Sequence, residues 1–84
     1  MIQETHTITS PCKGIIEKVL ITEDSYVYEW EKLFFIKTSE GNMEEISVGA
    51  SGTITSLRIK EGDFVSTESI LALLKDDLLI TGSD

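Results

Sequence analysis

The second half of this chain repeats the first. Displaced by 38 residues, Gly52 falls on Gly14, Ile54 on Ile16, Leu57 on Val19, Ile59 on Ile21 and Glu61 on Glu23. The match continues with Phe64 on Tyr26, Val65 on Val27, Leu71 on Leu33, Leu73 on Phe35 and Leu74 on Ile36. Self-similarity of this kind marks one structural unit used twice. Two copies are too few for a solenoid. The expected arrangement is therefore two units, residues 10–36 and 48–74, folded against each other around one core with a pseudo-twofold axis.

Within each unit the apolar residues follow strand spacing. Thr5 to Thr9 is rich in β-branched residues and ends at Ser10-Pro11, because proline cannot donate to a sheet ladder. Ile16, Val19 and Ile21 are apolar anchors with a one-residue irregularity between the first two, the signature of a β-bulge. Turn residues follow at Glu23-Asp24-Ser25. Tyr26-Val27-Tyr28 alternates, and Leu33 to Ile36 leads into a hairpin spanning residues 34–48 between the halves. Ser39-Glu40-Gly41-Asn42 supplies its turn, with Gly41-Asn42 the expected reversal, since both residues tolerate the left-handed region. No stretch keeps its apolar residues at three-and-four spacing, so helices are not expected. The pattern predicts an all-β sandwich or flattened barrel in one domain, residues 1–84.

Size and charge narrow the function. Eighty-four residues leave no room for separate catalytic and binding domains. Fifteen carboxylates against seven lysine and arginine side chains give a net charge of −8, which opposes phosphate backbones and anionic headgroups. Nucleic acid and membrane partners are thus disfavoured. No run is long and apolar enough to span a bilayer, and the residues at the amino end do not form a signal peptide. Cys12 is the only cysteine, so no internal disulfide forms. A reducing, cytoplasmic setting is the simplest expectation.

Three segments carry a more specific likeness: Ser10-Pro11-Cys12-Lys13-Gly14-Ile15-Ile16, Ala50-Ser51-Gly52-Thr53-Ile54 and Glu61-Gly62-Asp63-Phe64-Val65. Together with the duplication, they resemble the biotinyl/lipoyl attachment domain family over residues 6–75. The resemblance implies a flattened barrel of two four-stranded antiparallel sheets, with the central hairpin at one end and the termini at the other. Members carry biotin or lipoyl on a lysine at the hairpin tip and shuttle carboxyl or acyl groups between active sites. That lysine lies eleven residues before the second-half glycine, which here is Gly41. Met43, Glu45 and Ile46 agree with the family pattern beyond the tip. Asp24-Ser25 replaces a common Gly-Asp, whereas Gly62-Asp63 retains it. Trp30 and Glu68 stand where glycine or a small residue is usual.

The resemblance, with Gly41 at the acceptor position, implies a cofactor-free protein-binding or assembly module. The alternative is a biotin or lipoyl carrier with a displaced acceptor, Lys37. A further alternative is a lipoyl-like piece of a membrane-fusion or adaptor protein. No catalytic constellation is visible, so an independent enzyme is not expected. Candidate partner contacts are Glu40, Gly41, Asn42 and Met43 at the tip, and Tyr26, Tyr28 and Trp30, which share one strand face if Val27 points inward. One of these rings covering the core edge is the competing expectation. His6 has no second histidine or cysteine at ligand spacing, so no metal site is expected. Glu44 and Glu45 point to opposite strand faces, and Cys12 reads as a half-buried thiol. Leu78, Leu79 and Ile80 either pack on the domain or pair two copies.

Overall fold

A computed structural model describes residues 5–76. Eight strands form in chain order: β1 (Thr5–Thr9), β2 (Gly14–Val19), β3 (Tyr26–Val27), β4 (Lys32–Thr38), β5 (Met43–Ser47), β6 (Gly52–Leu57), β7 (Phe64–Val65) and β8 (Ile70–Asp76). They build two four-stranded antiparallel sheets, ordered β1-β8-β6-β3 and β5-β4-β2-β7. No described residue is helical. The expected flattened barrel is therefore the observed one.

The twofold relationship is reproduced in the registers. In one sheet Gly14 pairs with Thr38, Ile15 with Lys37, Ile16 with Ile36, Lys18 with Phe35 and Val19 with Phe34. In the other Gly52 pairs with Asp76, Thr53 with Lys75, Ile54 with Leu74, Ser56 with Leu73 and Leu57 with Ala72. Each pair is the first one displaced by 38 residues, and both ladders slip at the same place, after Ile16 and after Ile54. The irregularity expected between Ile16 and Val19 is thus a bulge, present twice. The structural units also run further than the sequence likeness, because β1 occupies in one sheet the edge that β5 occupies in the other.

The core follows the same symmetry. Ile8 and Ile46, Ile16 and Ile54, Val27 and Val65, Leu33 and Leu71, Phe34 and Ala72, and Ile36 and Leu74 are all buried, joined by Ile21. Alternation places these side chains inward along each strand. Phe34 faces the core and Phe35 is only half-buried. Opposite the bulky ring of Phe34, the second unit has Ala72, so the interior is not a strict copy.

Two glycines hold the strands close. A Cβ on Gly14 would overlap the carbonyl of Lys37, and one on Gly52 would overlap that of Lys75. Both positions need a residue with no side chain because a neighbouring backbone occupies the space.

Four tight turns share one construction. Ser25 donates to the carbonyl of Thr22 at 3.1 Å, Glu31 to Tyr28 at 3.0 Å, Asp63 to Lys60 at 3.1 Å and Ser69 to Ser66 at 2.9 Å. The third residue of each has positive φ: Asp24 at 72°, Trp30 at 66°, Gly62 at 94° and Glu68 at 72°. That combination is the type II turn, which favours glycine at its third position. Gly62 alone satisfies the preference. The sequence departures at Asp24, Trp30 and Glu68 are therefore residues held in a backbone conformation that disfavours a side chain.

Among the described residues no helix is long and apolar enough to cross a membrane. Leu78, Leu79 and Ile80 lie outside the described residues.

Candidate functional site at the hairpin end

The β4–β5 hairpin closes through a short loop. Gly41 donates to the Thr38 carbonyl at 2.9 Å, and Thr38 donates to the Asn42 carbonyl at 2.8 Å. The Thr38 hydroxyl also accepts from the Asn42 amide at 3.1 Å. With Gly41 at φ 91°, this is the pattern of a turn followed by a glycine bulge. The reversal is therefore centred on Ser39 and Glu40, two residues before the expected Gly41-Asn42, and Asn42 does not have positive φ. The physical reason is that a two-residue turn and a three-residue loop with a glycine bulge both call for a left-handed glycine, and here Gly41 serves the bulge. Gly41 has open space around it: no heavy atom lies within 4 Å of where its Cβ would stand.

Below the turn, one row of side chains crosses the whole sheet on its outer face. Met43 pairs with Lys37, Lys37 with Ile15 and Ile15 with Phe64. All four are exposed, Phe64 at 69%. Ile15, Lys37, Ser39 and Phe64 are among the residues lining a half-open groove of about 380 Å³. The corresponding row of the other sheet is Tyr26, Thr53, Lys75 and Thr5, far more polar. The apolar row is thus a property of the hairpin sheet and not of the fold.

Ile15 and Phe64 were not singled out by sequence reasoning. The signal was present: Phe64 is the counterpart of Tyr26, whose neighbour Val27 was expected to point inward. What sequence could not supply was β7 lying beside β2, which sets Phe64 next to Ile15.

Tyr26, Tyr28 and Trp30 are placed elsewhere. Gly14 and Thr38 mark the hairpin end of one sheet. Tyr26 sits beside Thr53 and, across β6, Lys75 at the opposite end, where Thr5 begins the described chain. The tip residues and the aromatic residues therefore belong to two surfaces. All three rings are exposed, Tyr28 at 68% and Trp30 at 67%, so none of them covers the core edge. Tyr26 and Tyr28 form an edge-to-face pair with ring centroids 5.1 Å apart.

The remaining candidates have local roles. His6 Nε2 lies 2.7 Å from Asp76 Oδ2, joining β1 to the end of β8. No group of metal-ligating side chains occurs among the described residues. Cys12 is half-buried, and its carbonyl accepts from the buried Ser10 hydroxyl at 2.6 Å. Glu44 and Glu45 are both exposed on edge strand β5, and Glu45 lies 3.5 Å from the Lys32 ammonium.

Solved structures contain the same arrangement. A segment of the Kluyveromyces lactis urea carboxylase superposes with a TM-score of 0.76 over 84% of this chain at 17% identity. The fold is biotinyl/lipoyl-carrier-like. A segment of a single-chain, multi-domain long-chain acyl-CoA carboxylase gives the same TM-score over 86% of the chain at 11% identity. The chain spans only 6% and 7% of those two enzymes. No protein-family model matches the sequence, and no curated protein matches it.

The family resemblance of the sequence implies a group held as an amide on a lysine amine. Ser39, Glu40, Gly41 and Asn42 carry no side-chain amine. The nearest lysine, Lys37, projects from the flat face of the sheet between Met43 and Ile15.

Proposed function

We propose that this chain is a protein-binding or assembly module built on the carrier barrel, with no prosthetic group on its hairpin. The observation carrying the reading is Gly41, eleven residues before Gly52, where the family likeness puts the acceptor lysine. In this reading the tip, Glu40 to Met43, and the exposed row through Lys37, Ile15 and Phe64 form the contact surface for a partner protein. Exposed apolar side chains collected in one row, next to a turn freed of its carrier role, support that assignment.

A second reading has one observation in its favour. Lys37 is exposed, lies one residue before the turn and could hold a displaced biotin or lipoyl arm, as a carrier domain of a carboxylase-type system would. Incubation of the purified protein with a biotin ligase or a lipoate ligase, followed by intact mass measurement, separates the two. No mass increase is expected. An increase equal to either cofactor, abolished by Lys37→Ala, establishes the carrier reading instead.

A further inference from the structure

At the end of the barrel away from the hairpin, the Tyr28–Glu31 turn combines four observations. Its two rings are spent on solvent: Tyr28 is 68% and Trp30 67% exposed. Trp30 stands at the turn position with φ 66°, a left-handed conformation that favours glycine. The fold does not ask for either ring, because the same turn in the second unit is built from Ser66 and Glu68. Finally, Glu29 and Glu31 flank Trp30 on a chain of net charge −8, and no cation–π contact is made to Tyr28 or Trp30 among the described residues. Two exposed rings flanked by carboxylates, in a turn whose counterpart does without them, are a reason to look for a cationic ligand.

We infer that this turn binds an arginine-bearing segment of a partner protein, the guanidinium stacking on Trp30 or Tyr28 and pairing with Glu29 or Glu31. The inference goes beyond the hairpin reading, to a separate surface, and names the chemistry of one partner. A planar guanidinium suits the site better than an ammonium. It stacks on aromatic faces and donates to carboxylates in the same plane, and it is the less strongly hydrated of the two. Glu31 is already oriented, since its carboxylate accepts from the Tyr28 amide at 2.8 Å. The Trp30 indole is held against Gly49: a Cβ there would come within 2.7 Å of the ring. The edge-to-face packing of Tyr26 on Tyr28 fixes the second ring. Little ordering is left to be done on binding.

Trp30 is the only tryptophan, so its own fluorescence reports on the site. The probe is a short glycine–serine peptide carrying arginines, compared at physiological ionic strength with versions carrying lysine or glutamate at the same positions. The arginine peptide is expected to give a saturable fluorescence change with a dissociation constant of about 1 mM or tighter. The lysine peptide binds more weakly and the glutamate peptide gives no change. Amide NMR shifts then follow binding to Trp30→Gly and Tyr28→Ser, which weaken it by about tenfold or more. Trp30→Gly removes the positive-φ strain and stays folded, so loss of binding is not loss of structure. Thr67→Ala, exposed in the equivalent turn of the second unit, binds as the parent does.

No saturable response to the arginine peptide overturns the inference. So does undiminished binding by Trp30→Gly, which reduces the effect to net charge, and equal binding of the lysine peptide overturns the arginine assignment. Failure here leaves the hairpin reading standing. A prosthetic group found on the hairpin removes that reading and leaves this site untouched.

Discussion

The Leu57 amide donates to the carboxylate of Glu23 at 3.1 Å, so a turn of the first unit closes a strand end of the second. Its counterpart runs the other way: the Val19 amide donates to Glu61 at 3.3 Å. Backbone bonds exchange in the same reciprocal manner, with Ile16 donating to Asp63 and Ile54 to Ser25, both at 2.8 Å. Each unit's turns are satisfied by the other unit's strands, which ties folding of the two halves into one event. Glu23→Ala and Glu61→Ala are each expected to cost about 1 kcal/mol, the net contribution of one such bond. Urea unfolding should show a single transition for both variants and for the double variant, with nearly additive losses.

The positive-φ turns make an opposite prediction. Asp24→Gly and Glu68→Gly relieve a left-handed backbone and are expected to stabilise the fold by up to about 1 kcal/mol each. Gly62→Ala at φ 94° destabilises by a similar amount. Thermal denaturation of the three variants checks the sign, and a destabilised Glu68→Gly would show that its side chain holds something the backbone conformation does not reveal.

At Gly14 and Gly52 the constraint is space and not φ. A methyl group there meets the carbonyls of Lys37 and Lys75, so Gly14→Ala and Gly52→Ala must push neighbouring strands apart. A loss of about 1–3 kcal/mol in each is the expected overpacking cost, read from urea midpoints. Gly41→Ala, with open space but φ 91°, loses about 1 kcal/mol or less.

Much of this was readable before any coordinates. The displacement of 38 residues placed Ile16 on Ile54 and Leu33 on Leu71, and those positions are buried in both units. Alternation put Val27 inward and its aromatic neighbours outward. The likeness failed at β1 and β5, since Thr5–Thr9 and Met43–Ser47 share little beyond Ile8 and Ile46. Edge strands bury one face and pair on one side only, so few of their residues are constrained. The hairpin reversal was displaced by two residues because a bulge and a two-residue turn draw on the same glycine preference. The row from Met43 to Phe64 was invisible for a different reason: it joins four strands scattered through the chain, and only the sheet order assembles it.

The exposed row also has a stability consequence. Phe64 and Ile15 lie outside the core, so Phe64→Ser and Ile15→Thr are expected to change stability by no more than about 0.5 kcal/mol. A loss of about 2 kcal/mol or more in either, measured by urea unfolding, would assign those side chains to packing and withdraw them from a contact surface.

Gly41→Lys introduces an amine eleven residues before Gly52 but puts it at φ 91°, between Glu40 and Asn42. A biotin or lipoate ligase is expected to modify this variant poorly, as followed by mass. Efficient labelling would mean that the ligase-docking surface has survived intact.

The most direct test is the intact mass of this polypeptide purified from the cells that make it naturally, with biotin and lipoate ligases present. The predicted result is a mass with no added biotinyl or lipoyl group. A mass raised by either group, mapped to Lys37 or to any other lysine, would contradict the central claim that the hairpin works without a covalent cofactor.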